Sequence, residues 1–171
     1  ARWGIKRAER EGLVVEESTN IDRFYPLYAQ VIGELGVQVE TKEHVAQHMT
    51  VLFLCKKGEQ VLAGAILEVV ENIPTLTRAA SLPEFRNLQP NNLLYWHCIL
   101  WSKRHGYATL DLGGWQINAH SQLKGVNEFK ERWGKIIYTE KEYPFWRALG
   151  RKAIRHSPLL WKLHHKLRRH A

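Results

Sequence analysis

The chain has 171 residues, 44% hydrophobic and 25% charged, enough for one domain with its own core, which excludes disorder throughout. Two cysteines, Cys55 and Cys98, exclude a disulfide framework and a Cys-rich zinc module, and no apolar run is long enough to span a bilayer. The net charge of +8 sits at one end: Glu142 is the last acid, and Tyr143 to Ala171 carries eight Lys and Arg, so the body before it is neutral.

Residues 2–11 read as the end of a helix, with Gly12 suited to the left-handed position after it. Leu13-Val14-Val15 begins a strand. Ser18-Thr19-Asn20 offers caps for a helix with Ile21, Phe24, Tyr25, Tyr28, Val31, Ile32 and Leu35 on one face, ending at Gly36. Thr41 caps a short helix from Lys42 to about Met49. Val51–Cys55 and Val61–Leu67 read as a hairpin of buried strands linked by Lys56–Gln60, and a third strand is expected near Thr75–Ala80. A polar loop, Ser81 to Asn91, leads to an apolar helix, Leu93 to His105, with Leu93, Trp96, His97 and Leu100 sharing a face. Tyr107–Leu112 reads as a strand cut by Gly113-Gly114. A short helix around Val126–Trp133 closes at Gly134, Ile136–Tyr138 is a last strand, and the remainder is helical, with Pro144 and Pro158 placed to start segments.

This order, an antiparallel meander followed by strand–helix–strand alternation, gives an α+β fold. The sheet is mixed and mostly antiparallel, has helices on both faces, and is followed by a basic C-terminal helical tail. The expected boundaries are a body at 1–142, including a connector helix at about 1–12, and an amphipathic tail at 143–171. The absence of a signal-peptide pattern gives the expectation of a cytoplasmic protein, at most peripheral at the inner membrane face. An opening Ala1-Arg2 without Met, inside a helical pattern, gives the expectation of a piece of a longer chain.

The element order is that of the GNAT acyltransferase fold, and three stretches sharpen the likeness. They are the Trp-containing helix Leu94–Gly106, the strand end Leu110-Asp111-Leu112-Gly113-Gly114, and Gly125-Val126-Asn127-Glu128-Phe129-Lys130-Glu131-Arg132-Trp133-Gly134. In order and spacing these resemble the FemAB family of peptidoglycan-bridge aminoacyltransferases, from about Gly12 to Tyr138. The resemblance implies the second of two GNAT-like halves, with Ala1–Glu11 similar to the connector. The partners it implies are aminoacyl-tRNA as donor, a cell-wall precursor as acceptor, and a missing N-terminal half or a homo-oligomer.

Acyl-CoA-dependent GNAT proteins carry a glycine-rich pyrophosphate loop before the central helix. Here the stretch is Arg86-Asn87-Leu88-Gln89-Pro90-Asn91-Asn92. It has no glycine, and Pro90 has no N–H. The expectation is therefore no cofactor, with acyl-CoA required only under an alternative reading. Arg86 and Asn91 are candidate substrate contacts, or else a surface charge and a helix cap.

Aminoacyl transfer needs ester and amine held together, a proton removed from the amine, and charge stabilised on the carbonyl oxygen. The resemblance places the Phe129-Lys130 pair at an acyl channel. Lys130 is then a candidate catalytic cation and Phe129 a candidate packing surface for a base or sugar. Read without the resemblance, Lys130 is a solvated helix cation and Phe129 is core. Asp111 is a candidate orienter of Lys130 or proton acceptor, and equally a turn cap. Gly113 and Gly114 permit backbone bending or close ligand approach. Tyr138 is a candidate proton relay, or a strand residue with one polar end.

His44 and His48 have metal-ligand spacing but lack the glutamate of the zinc-protease motif, so no metal is expected. Both cysteines read as buried small hydrophobes. In the tail, Leu159, Leu160, Leu163 and Leu167 form an apolar stripe among Lys162, Lys166, Arg168 and Arg169, with Trp161 beside it. Such a helix suits an anionic membrane surface or the phosphates of tRNA. The function expected is acyl or aminoacyl transfer from an activated ester to an amine of a peptidoglycan precursor. The alternatives are an acyl-CoA-dependent N-acyltransferase and a non-catalytic nucleic-acid or membrane-binding module on the same scaffold.

Overall fold

The computed structural model describes residues 1–115 and 122–136. Everything below belongs to the unit Ala1–Lys135. The basic stretch 143–171 and the expected strand at 136–138 beyond Ile136 lie outside the described residues.

A nine-residue helix, α1 (Arg2–Arg10), turns through Gly12 into β1 (Val14–Ser18). The helix expected to start at Ile21 begins in two steps. Asn20 caps a single 3₁₀ turn, Ile21–Arg23, by accepting from the Asp22 N–H, and α2 (Tyr25–Glu34) then restarts with Pro26 in its first turn. Pro26 has no N–H to carry the earlier turn forward, so the break falls there. Thr41 caps α3 (Lys42–Gln47) through the His44 N–H at 3.2 Å.

Three long strands follow: β2 (Val51–Lys57), β3 (Gln60–Val70) and β4 (Ile73–Ser81). Both hairpin links are shorter than the composition suggests. Lys57 pairs with Gln60, and Val70 with Ile73. The second turn, Glu71-Asn72, has φ of 50° and 64° at its two residues, as a two-residue turn matched to strand twist requires. The sheet order is β1-β2-β3-β4, all antiparallel.

Alternation along the strands supplies two cores. Val51, Phe53, Cys55, Ala63, Ala65 and Leu67 face α1 and α4 (Pro90–Arg104). Leu52, Leu54 and Ile66 face Phe24, just before α2, and Leu27, Tyr28 and Val45 from α2 and α3. Phe24 packs closely against β3 because residue 64 is glycine: a Cβ there would sit 2.3 Å from its ring. The face expected for α4 is corrected. Leu93 is buried as expected, together with Leu94, Tyr95, Cys98, Trp101 and Ser102, while Trp96, His97 and Leu100 are half-exposed. Apolar residues surround this helix, so its pattern carries no phase; contact with the sheet and with α1 sets it.

The α2–α3 connection is stapled to β4 at one residue. Arg78 Nε and Nη2 donate to the two carboxylate oxygens of Glu40, each at 2.8 Å, and Tyr28 Oη donates to Glu40 Oε2 at 2.8 Å. The Arg78 guanidinium holds the Glu40 carboxyl down, to about 2 from an ordinary 4.5. The native state therefore takes up this proton at lower pH than the unfolded chain. Its stabilisation is complete above about pH 4.5 and is lost as pH falls toward about 2. Urea midpoints measured from about pH 6 to about pH 3 are expected to fall less steeply in Glu40→Gln than in the unmodified protein. Equal slopes would remove Glu40 from the acid-sensitive groups.

Candidate functional site

The strand expected at Tyr107–Leu112 is reduced to one rung. Asp111 makes an isolated parallel bridge with Thr75: its N–H donates to Pro74 O at 2.9 Å, and its carbonyl accepts from the Leu76 N–H at 2.8 Å. A regular parallel ladder would continue with Gly113 N–H on Leu76 O. Instead Gly113 N–H donates to Asp111 Oδ1 at 2.8 Å, and Gly113 adopts φ +76°. The Asp-Leu-Gly-Gly sequence thus forms an Asx turn that takes the next donor off the ladder. Only glycine fits at 113, since a Cβ would lie 2.5 Å from Leu76 O.

On β4 the register breaks at the same level. Leu67 pairs with Leu76 but Ile66 pairs with Arg78, so Thr77 is an extra, exposed residue forming a β-bulge. Among the described residues, β4 and the Asp111 segment are joined at this single rung, with the bulge on β4 and the Asx turn on the Asp111 segment both just beyond it.

Helix α5 (Gln122–Glu131) borders this split. Lys130 Nζ donates to Gly114 O at 2.8 Å and lies 3.6 Å from where a Cβ on Gly113 would be. Trp115 Nε1 donates to Glu131 Oε1 at 3.0 Å. Burial pushes the Lys130 ammonium below its ordinary range, and the Asp111 carboxylate acts against that shift. The glycine turn and the end of α5 therefore hold a partly desolvated cation with three donors, one engaged on a carbonyl.

The sequence-selected residues fall into separate places. Lys130, Asp111, Gly113 and Gly114 come together. Phe129 is half-buried: its ring meets Tyr95 of α4 edge-on at 4.8 Å between centroids and Trp133 at 6.3 Å, with Arg132 over it at 5.8 Å. It anchors α5 to α4, which is the core alternative raised from the sequence. Tyr95 was not singled out, because an aromatic beside Trp96 and Trp101 in a largely apolar helix gives no signal of its partner. Asp111 is exposed and one of its oxygens caps the turn. Tyr138 lies outside the described residues.

Arg86 stands on the connection between β4 and α4, and Asn91 stands in the first turn of α4. Pro83–Leu88 is a 3₁₀ turn with Arg86 exposed, and Gln89 is left-handed at φ 62°. Asn91 Nδ2 donates to Ser81 Oγ at 3.0 Å. The first residue of α4 is Pro90, without an N–H, and the Asn92 N–H already donates to Gln89 O at 3.1 Å. A pyrophosphate needs several free, converging N–H groups at a helix start. Pro90 and the engaged Asn92 N–H leave this helix start short of such donors.

The discounted residues are accounted for. Both cysteines are buried and free, and burial pushes each thiol up to about 12, so neither supplies thiolate at neutral pH. His44 and His48 stack edge-on at 4.7 Å, beside Glu40 and Glu68 respectively. Among the described residues no group of three or more His, Cys, Asp or Glu could hold a metal ion, and no helix is long and apolar enough to cross a membrane.

A family model described as acetyltransferase (GNAT) domain matches residues 2–131. No curated protein matches the chain. Among solved structures, FemX superposes with a TM-score of 0.64 at 18% identity, over 77% of this chain and 52% of FemX. The ribosomal-protein-S18-alanine N-acetyltransferase from Escherichia coli gives 0.56 at 18% identity, over 71% of this chain and 76% of that one. The C-terminal DUF2156 domain of a putative lysylphosphatidylglycerol synthetase from Agrobacterium fabrum gives 0.57 at 16%, over 77% of this chain and 45% of that one. At these identities the likenesses establish the fold: an antiparallel four-stranded GNAT sheet with helices on both faces.

Proposed function

The chain belongs to the GNAT acetyltransferase domain family, and from that premise we propose that it transfers an aminoacyl group from aminoacyl-tRNA to an amine of a cell-envelope precursor. The observation that carries this reading is the Lys130 ammonium held at the end of the β4–Asp111 rung. In the reaction the amine nitrogen bonds to the ester carbonyl carbon. The carbonyl oxygen becomes an oxyanion, and its collapse breaks the ester C–O bond. The proton lost by the amine returns to the departing ribose oxygen. The Lys130 donors not engaged on Gly114 O are the groups offered to the oxyanion or to a neighbouring phosphate. Asp111 keeps the turn in shape.

The choice of donor is supported by the β4–α4 connection, which lacks a phosphate cradle, and by the FemAB resemblance together with the FemX likeness. This chain spans about half of FemX, so an acceptor site shared with a further half belongs to the same proposal, as does contact of 143–171 with tRNA phosphates or an anionic membrane surface. Acyl-CoA as donor is the second reading, favoured by the family match and the S18-alanine N-acetyltransferase likeness.

Titration calorimetry separates the two. A non-hydrolysable aminoacyl-RNA hairpin is expected to bind, and acetyl-CoA is expected not to bind at micromolar concentrations. Micromolar acetyl-CoA binding with no heat from the RNA would overturn the aminoacyl-tRNA assignment.

A further inference from the structure

The inward face of α5 is not closed along its whole length. Successive helix residues lie about 100° apart, so Val126 stands in the middle of this face, with Phe129 about 60° to one side and Lys130 and Asn127 about 40° and 100° to the other. Phe129 is half-buried against Tyr95, Lys130 is partly buried with its ammonium on Gly114 O, and Asn127 is 7% exposed. Lys124, Gly125, Glu128 and Glu131 fill the opposite arc and are all exposed. Among the described residues of this helix Val126 alone breaks the division: it is 45% exposed although its neighbours on both sides are covered. No atom lies within 4 Å of where a Cβ on Gly125 or on Gly114 would be. Helix side chains lean toward the N-terminus and residues four apart stand about 6 Å from one another, so Lys130 leans toward the turn that carries Val126. An apolar surface thus lies open to water one turn from the Lys130 cation.

We propose that Val126 determines which acyl group the site accepts: the side chain of the group being transferred rests on its exposed methyls while Lys130 meets the carbonyl oxygen. This rests on the acyl-transfer reading above, but not on whether the donor is aminoacyl-tRNA or acyl-CoA. The chemistry selects a neutral, apolar group. Val126 offers no side-chain donor or acceptor, and covering it removes apolar surface from water. A basic side chain at this place stands beside the Lys130 ammonium and is repelled by it. An acidic one pairs with that ammonium and takes up the donors that the oxyanion needs. Gly114 and Gly125 leave room beside the valine, so a branched aliphatic side chain is accommodated along with a single methyl group.

The test is titration calorimetry with non-hydrolysable RNA hairpins carrying glycyl, leucyl or glutamyl groups, with acetyl-CoA and hexanoyl-CoA run alongside. The unmodified protein is expected to bind the leucyl hairpin about tenfold more tightly than the glutamyl one. Val126→Trp fills the open stretch, and with it the leucyl hairpin is expected to lose about tenfold more affinity than the glycyl hairpin. Val126→Thr keeps the volume and exchanges one methyl for a hydroxyl; it is expected to narrow the leucyl preference over glutamyl about threefold with a matching melting curve. Equal losses for the glycyl and leucyl hairpins in Val126→Trp, with an unaltered preference in Val126→Thr, would overturn the role of Val126 and leave the aminoacyl-tRNA assignment standing. Binding of the acyl-CoA compounds in place of the hairpins would overturn that assignment, and the two chain lengths would then decide the matter for Val126. Hexanoyl-CoA losing about tenfold more than acetyl-CoA in Val126→Trp would support its role, and equal losses would refute it. An unmodified protein that binds none of these donors would overturn both.

Discussion

Lys130→Ala is expected to lower the rate of transfer by about a hundred- to a thousandfold while leaving the fold intact, the size of loss seen when one donor to a developing oxyanion is removed. The reason is position. Lys130 sits where the last rung between β4 and the Asp111 segment ends, with one donor on Gly114 O and the rest unconstrained by that bond. Its partial burial strengthens its interaction with a charge that develops beside it. The stability cost is small, since the bond lost is to a carbonyl exposed to water. Lys130→Arg is not expected to restore the rate, because the guanidinium is larger and planar where Gly113 and Gly114 leave room for an ammonium. Transfer unchanged in Lys130→Ala, with a matching melting curve, would remove the residue from the reaction.

Gly113→Ala is expected to destabilise the domain by about 2–4 kcal/mol and to lower transfer with it. Two effects add. A side chain at φ +76° is strained, and the new Cβ would meet Leu76 O at 2.5 Å, an atom fixed by its place in β4. Gly114→Ala is the control. Nothing lies within 4 Å of a Cβ there, so its effect is expected within about 0.5 kcal/mol. Urea denaturation of both variants reads the difference directly. Equal effects at the two positions would mean that the turn relaxes and that the close approach to Leu76 is not what shapes the split.

How far the sequence foretells this structure depends on where the information resides. The caps at Asn20 and Thr41, the buried strands expected at 51–55 and 61–67, and the break after Leu112 are written in local chemistry, and each appears, the strands extended to 51–57 and 60–70. The buried face of α4 is not, because its apolar residues surround the helix and only the packed sheet and α1 select Leu94, Cys98 and Trp101. The strand at Tyr107–Leu112 shrinks to the Asp111 rung, and the Asp111 side chain stops it there by diverting the next donor, which a reading by β-propensity does not detect. Lys130 was selected through a family likeness, whereas the Glu40–Arg78 ion pair gave no sequence signal at all. Its partners are 38 residues apart and meet only when the α2–α3 connection crosses β4.

The most direct test of the central claim maps the donor titration onto the backbone by amide NMR. With the non-hydrolysable aminoacyl-RNA hairpin, the amides of Gly113, Gly114 and Lys130 are expected to shift at the lowest ligand ratios, and acetyl-CoA is expected to leave them in place. Shifts confined to other parts of the chain, or equal shifts at those residues with acetyl-CoA, would contradict an acyl donor received at the Asp111–Lys130 split without a phosphate cradle.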